Sequence, residues 1–260
     1  MSAQPVLAVE HVSHDYIVKR RRQRILRDVH FTVEAGRTLA IVGESGAGKS
    51  TLSRLIAGLE RPAEGRVRVD GAPPGLRFGA TSPVQIVFQQ PTEALNRFIS
   101  VGASVREPLR HLPRRRRSAR VAELLDQLGI PASRAGDRPR AFSGGQLQRI
   151  VLARALAAEP RLLLCDEPTS ALDVSVQAQI VNLLLALQER SGFACVLVTH
   201  DLGVAKVLAH DVLVLRGGEV VEHVSAERFF AAPQAPYSRQ LLETTAAQML
   251  QRPRAAGRLS

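Results

Sequence analysis

Aromatic residues make up only 4% of this 260-residue chain: eight Phe, two Tyr and no Trp. So little ring surface argues against a platform for single-stranded nucleic acid, where successive bases stack on aromatic side chains. No nucleic-acid partner is expected. Cysteine is nearly absent too. Cys165 and Cys195 each lie inside an apolar run, which suits small core residues in a reduced cytosolic compartment rather than a disulfide or a thiolate metal site. No stretch approaches 18 uninterrupted apolar residues, so no membrane-spanning helix is predicted. The amino terminus lacks a charged-then-apolar signal pattern, and export is not expected. There is no fixed-period repeat, and no heptad run is long enough for a coiled coil.

Positive charge, by contrast, is in excess. Thirty-five Lys and Arg against 24 Asp and Glu give a formal net charge of +11. Such a balance suits anionic partners. Two clusters stand out, Lys19 to Arg22 with Arg24, and Arg114 to Arg117. Solvated loops are the plainer reading of both; proximity to anionic lipid is the other. Hydrophobic residues make up 45% of the chain, enough for a sizeable core.

Alternation predicts strands at Leu7 to Val12, with Tyr16 just after, at Val29 to Val33, and at Arg66 to Asp70. Gly71 to Pro83 is loop-like. Apolar runs at Leu39–Val42, Val84–Phe88, Leu162–Cys165 and Ala194–Val198 predict buried strands. Val212–Leu215 and Val220–Val221 flank Gly217-Gly218 as a hairpin. Between Pro91 and Ala158 only helical patterns occur, at Val101–His111, Arg117–Leu128 and Gly145–Ala157. Val176, Ile180, Val181, Leu184 and Leu187 form one face of a later helix. Strands alternating with helices predict an α/β domain with a parallel core, and the helical middle reads as an insertion. The Arg-rich tail after Gln251 is expected to fray.

Gly43-Glu44-Ser45-Gly46-Ala47-Gly48-Lys49-Ser50-Thr51 fits the phosphate-loop pattern G-x-x-x-x-G-K-[ST] without a gap. An apolar strand precedes it, and Leu52, Leu55, Ile56 and Leu59 follow at helical spacing. The glycines let successive backbone N–H groups turn onto phosphates, and the helix N-terminus adds partial positive charge. Lys49 is placed to reach the β- and γ-phosphates, and the Ser50 hydroxyl to ligate Mg²⁺. The strand Leu162–Cys165 runs into Asp166-Glu167. Carboxylates at the carboxyl end of a parallel strand face the ligand crevice. Asp166 is the expected Mg²⁺ holder and Glu167 the general base toward water. Phe142-Ser143-Gly144-Gly145-Gln146 opens a helix with Ser143 as N-cap, a second anion-binding element.

Together these marks resemble the ATP-binding subunit of an ABC transporter. Gly43 to Thr51, Gln89, Ser143 to Gln146, Leu162 to Glu167, Ser170-Ala171-Leu172-Asp173 and Thr199-His200-Asp201 appear in the family's order. The resemblance implies an ABC-type nucleotide-binding domain: a parallel-core P-loop ATPase sheet, an antiparallel β part and an inserted helical subdomain. It divides the chain into an ATP-binding α/β core at 1–90 and 159–225, a helical signature subdomain at 91–158, and a C-terminal helical extension and tail at 226–260. It further implies that Tyr16 stacks on adenine and that Gln89 contacts Mg²⁺ or water. Ser143, Gly144, Gly145 and Gln146 would bind the γ-phosphate of nucleotide held by a partner subunit. Asp173 would couple the two sites, and His200 would hold the γ-phosphate in line with Glu167. Two such subunits, identical or homologous, would close head to tail on ATP.

Glu167 to Ile180, Phe88 to Asn96, Val105 to Leu109 and Ala235 to Leu242 are similar to the dipeptide, oligopeptide and nickel importer group. That implies ATP-powered import of peptides or nickel through a membrane permease, supplied by a substrate-binding protein, from the cytoplasmic face of the inner membrane. Gln90 and Arg97 depart from the group's Asp and Pro where the permease would be gripped. The ABC-type subunit of a soluble phosphonate carbon–phosphorus lyase complex is the alternative. Chromosome and repair ATPases need a long coiled coil between phosphate loop and signature, and only about ninety residues, without heptads, lie there.

Overall fold

The computed structural model describes residues 4–75, 82–170 and 172–251. The middle of the expected Gly71–Pro83 loop, Ala171 and the Arg-rich tail lie outside them.

The chain opens with β1 (Leu7–Val18) and β2 (Arg21–Val33), joined at Lys19-Arg20, then β3 (Thr38–Val42) and α1 (Lys49–Ile56). β4 (Glu64–Val69) and β5 (Val84–Val87) follow. The helical segment comprises α2 (Pro91–Ala94), α3 (Val101–Arg106), α4 (Arg114–Gln127) and α5 (Gly144–Ala157), with three short 3₁₀ turns among them. The core resumes with β6 (Leu162–Asp166), α6 (Val174–Ser191), β7 (Ala194–Val198), α7 (Leu202–Leu208), β8 (Asp211–Arg216) and β9 (Glu219–Ser225). The chain then runs through α8 (Ala226–Ala231) and α9 (Pro236–Gln251).

Two sheets form. β2-β1-β4 is antiparallel. The larger sheet runs β5-β6-β7-β3-β8-β9, parallel except for β9. Side chains alternate across each strand, and both faces of the large sheet are covered. Leu39, Ile41, Leu164, Val196 and Leu213 face the antiparallel sheet and α1. Ala40, Val42, Leu163, Cys165, Cys195 and Leu197 face a cluster built from α5, α6, α7 and α9. Buried residues of the helical segment, such as Val101, Leu124 and Ile150, join that same cluster. Both cysteines are free and buried.

The antiparallel strands are longer than the alternation predicts. β1 reaches Val18, so Tyr16 lies inside a strand and not after it. Register shifts near Val12 and His14 interrupt the period of two that marks a strand in sequence. The first Arg cluster forms the solvent-exposed tip and start of a hairpin. Lys19 and Arg20 both take left-handed backbone, with φ 49° and 63°, the geometry of a type I′ turn. Asp15 receives Arg24 at 2.6 Å and Arg22 at 3.0 Å. The second cluster forms the first turn of α4. Arg117 folds back to donate to the Leu112 and Arg110 carbonyls. The expected helix at Val101–His111 breaks after Arg106 into a 3₁₀ turn, where Pro108 supplies no amide to an α-ladder.

Candidate active site

β3 is central in the large sheet, between β7 and β8, and the phosphate loop leaves its carboxyl end. The loop's tightness is written in backbone angles. Gly43, Gly46 and Gly48 have φ of 155°, 80° and 106°. A Cβ on Gly43 would lie 2.1 Å from the Leu215 carbonyl oxygen, and one on Gly48 would lie 2.8 Å from Leu26 Cδ2. Only glycine fits at either place. Gly48 caps α1 without any side-chain acceptor, so the first-turn N–H groups of α1 remain turned toward a ligand. Lys49 Nζ donates to the Gly43 and Glu44 carbonyls at 2.6 and 2.9 Å. Burial lowers the Lys49 pKa, while Glu167, Asp166 and Glu44 act to raise it.

β6 and β7 end beside this loop. Asp166 closes β6, and Glu167 follows with left-handed backbone at φ 48°, a strained geometry for a non-glycine residue. The Glu167 amide donates to the Val198 carbonyl at 2.9 Å, which ties the turn to β7. Two residues past β7, His200 Nδ1 lies 2.9 Å from Glu167 Oε1. Burial and then the Glu167 charge raise the Asp166 pKa; Lys49 and Arg54 oppose them. The Asp166 and Glu167 carboxylates and the Ser50 hydroxyl line one cleft and are hard oxygen donors, the ligand chemistry Mg²⁺ selects.

A cleft of about 590 Å³ gathers these groups, within the range of roughly 300–1,000 Å³ common for small-molecule sites. Tyr16, Gly43, Glu44, Ser45, Gly46, Gly48, Lys49, Ser50, Thr51, Asp166, Glu167 and His200 all line it. Ala47 does not; it is buried, and its carbonyl accepts from the Gly218 amide. Tyr16 is half-buried at the cleft's far side, its hydroxyl donating to Glu60 at 2.6 Å. Gln89 is exposed outside the cleft lining. It sits two residues beyond the last β5–β6 pair, Val87 with Cys165, at the same sheet edge as Asp166.

The remaining expected residues are elsewhere. Ser143 and Gln146 form a reciprocal capping box at the start of α5: the Gln146 amide donates to Ser143 Oγ, and the Ser143 amide donates to Gln146 Oε1. Ser143 and Gly144 are exposed. Gly145 lets α5 approach α6, since a Cβ there would meet Val176 Cγ1 at 2.4 Å. Asp173 N-caps α6 by accepting from the Val176 amide at 2.9 Å. None of Ser143, Gly144, Gly145, Gln146 and Asp173 lines the cleft.

Four contributors have no local signal in the sequence. Leu241, Thr244 and Thr245 of α9 form one wall of the cleft. Tyr237, in the first turn of the same helix, accepts the Glu44 amide proton at 3.1 Å. These contacts join residues about two hundred positions apart, beyond the reach of any periodicity in a short window.

Known proteins resemble the chain over most of its length. Residues 26–170 match the family profile described as ABC transporter. A Brucella abortus ATP-binding protein provisionally named for peptide import is 45% identical over 230 residues, which cover 85% of this chain and 69% of the relative. The di/tripeptide transport ATP-binding protein DppF of Pseudomonas aeruginosa is 41% identical over 256 residues, 93% of this chain and 79% of the relative. Among solved structures, a dimeric ATP-binding cassette in a post-hydrolysis state with ADP and Pi superposes with a TM-score of 0.74 at 30% identity, covering 85% of this chain and 98% of that one. The chain belongs to the ABC transporter family, as one of its ATP-binding, ATP-hydrolysing subunits.

Proposed function

We propose that this chain powers the import of peptides through a membrane permease. The observation that carries the reading is a division of labour within one subunit. Phosphate loop, carboxylate pair and histidine share a cleft, while Ser143 to Gln146 open another helix outside it. A second cassette, identical or homologous, would complete the site by bringing its own signature over this phosphate loop. The dimeric relative with ADP and Pi supports that arrangement.

Within the cleft, the loop amides and Lys49 would hold the triphosphate, and Tyr16 would stack on the base. Ser50 and Asp166 would hold Mg²⁺, with Gln89 reaching it or its water; the ion would supply positive charge against the β- and γ-phosphates. Glu167 would take the proton of the attacking water, with His200 orienting Glu167 and the γ-phosphate. Across the dimer, Ser143, Gly144, Gly145 and Gln146 would close on the partner's nucleotide, and Asp173 would connect the two sites.

The relatives are named for peptide transport, and this supports peptides as cargo. They lend no support to nickel or to the phosphonate alternative. No helix among the described residues is long and apolar enough to cross a membrane, so a separate permease would carry the path. A second cleft of about 490 Å³, lined by Leu59, Ile86, Phe88, Ala94 and Val151, offers it a docking place. Leu59 and Phe88 are exposed there. Docking would hold the chain against the cytoplasmic face of the inner membrane, with the substrate-binding protein acting only through the permease.

Purification of the chain from its native host in mild detergent tests the reading. An integral permease, a second ATPase and ATP turnover should co-purify. A set of soluble enzymes without a permease would overturn it.

A further inference from the structure

Tyr237 reaches the phosphate loop from outside. It is 5% exposed, and its hydroxyl accepts the Glu44 amide proton at 3.1 Å. The ring is clamped by the Arg216 guanidinium, 4.6 Å from its centroid. Burial raises the Tyr237 pKa.

The helix that carries Tyr237 is itself anchored. Glu222 of β9 is 7% exposed, and its two carboxylate oxygens accept the Gln234 and Ala235 amides at 2.8 and 3.1 Å. Those amides lie just before α9, and Tyr237 is the second residue of the helix. A continuous path therefore runs from β9 through the Glu222 carboxylate to the start of α9, and from Tyr237 to the second residue of the phosphate loop. On the other side of the loop, the Gly218 amide donates to the Ala47 carbonyl at 3.0 Å. The β8–β9 hairpin thus holds the loop at Ala47 directly and at Glu44 through α9.

Glu44 follows Gly43, whose φ of 155° and close approach to Leu215 leave the peptide no side-chain support of its own. The carbonyl on the same Gly43–Glu44 peptide plane, that of Gly43, receives Lys49 Nζ at 2.6 Å. A rotation of this one peptide would misdirect that carbonyl and, with it, Lys49. We propose that Tyr237 is a positioning residue for ATP hydrolysis: its hydroxyl fixes the Glu44 peptide, and through it the C-terminal segment sets the shape of the phosphate loop. The proposal rests on the phosphate-loop reading above.

Tyr237→Phe keeps the ring, its packing and the Arg216 contact, and removes only the hydroxyl. A neutral hydrogen bond is worth about 0.5–1.5 kcal/mol net, so KM for ATP should rise roughly 2- to 12-fold. The loop holds the phosphates in ground and transition state alike, so kcat should change less than about twofold. Glu222→Gln should raise KM in the same direction by loosening the start of α9. The double variant should then lie close to the worse single variant, because both act on one path.

The purified chain's steady-state ATPase and thermal midpoint are measured for each variant, with Lys49→Ala as reference. Raised KM at near-constant kcat and melting temperature supports the proposal. A lowered melting temperature with unchanged KM overturns it and leaves Tyr237 a packing residue. Unchanged KM in Tyr237→Phe, with ATP binding lost in Lys49→Ala, overturns it while the phosphate-loop reading stands. Unchanged ATP binding in Lys49→Ala removes the reading on which it rests.

Discussion

Replacing Glu167 by Gln isolates the chemical step from binding. The side chain keeps its heavy-atom skeleton, so Oε1 can still accept from His200 Nδ1, now 2.9 Å away. The left-handed backbone and the amide bond to Val198 are unaffected. What disappears is the basicity needed to take a proton from water. A positioned general base is worth about 10²–10⁴ in rate, equal to roughly 2.7–5.4 kcal/mol of barrier. Nucleotide holding rests on Lys49 and the amides around Gly48, which the substitution leaves in place. Phosphate release in steady state should therefore fall at least a hundredfold, while nucleotide affinity, read by fluorescence titration, stays within about threefold. The variant should also accumulate as an ATP-bound dimer on size exclusion. Turnover within about fivefold of the unmodified protein would remove Glu167 from the base role.

Three further outcomes follow from other contacts. Tyr16→Ala should weaken ATP binding more than Tyr16→Trp, because Trp preserves a stacking face of the kind worth about 1–3 kcal/mol per base; equal losses in a titration would argue against stacking. Gly145→Ala places a Cβ against Val176 Cγ1 at 2.4 Å; the overpacking should cost about 1–3 kcal/mol, lowering the calorimetric midpoint, and Val176→Ala in the same chain should restore it. Around Glu222, burial raises the carboxyl pKa, but the polar groups of Ser238, Gln234 and Ala235, together with Arg228, more than offset this and hold it below its ordinary value. A depressed carboxylate stabilises the fold above its unfolded pKa of about 4.3 and loses that contribution as pH falls through the lower folded value. Hydrogen-exchange protection factors at the start of α9 should thus fall below about pH 4, and Glu222→Gln should show low protection there already at neutral pH; high protection in that variant at pH 7 would refute the anchor.

The phosphate loop and the two carboxylates were legible because their constraints are local. Strand, glycine turn and helix succeed one another within twenty residues, and each imposes a residue type at a fixed spacing. The same holds for Ser143 and Gln146, whose capping box is a matter of three residues. The lengths of β1 and β2 were not legible. Their outer halves are polar and bulged, so neither hydrophobicity nor strict alternation marks them. The break after Arg106 follows from Pro108 but was masked by the apolar period on either side. Glycine at position 145 reads in sequence as part of an anion-binding turn, whereas in the fold it also sets how closely α5 meets α6. Least legible was the C-terminal helix. Ala235 to Leu242 resembles one importer group, yet nothing local says that Tyr237 meets Glu44 or that Leu241 and Thr244 wall the cleft. Those contacts are set by the β8–β9 hairpin and the Glu222 anchor, which only the assembled sheet defines.

The central claim, that ATP turnover at this cleft drives peptide entry, is tested most directly by uptake. The native host would carry Lys49→Ala in place of the unmodified chain, and entry of radiolabelled di- and tripeptides would be followed alongside nickel uptake and growth on a phosphonate. Lys49 binds the Gly43 and Glu44 carbonyls at the centre of the loop, so the substitution should abolish nucleotide binding without altering the fold. The account predicts lost peptide uptake, with nickel uptake and phosphonate growth intact. Normal peptide uptake together with lost growth on phosphonate would contradict it.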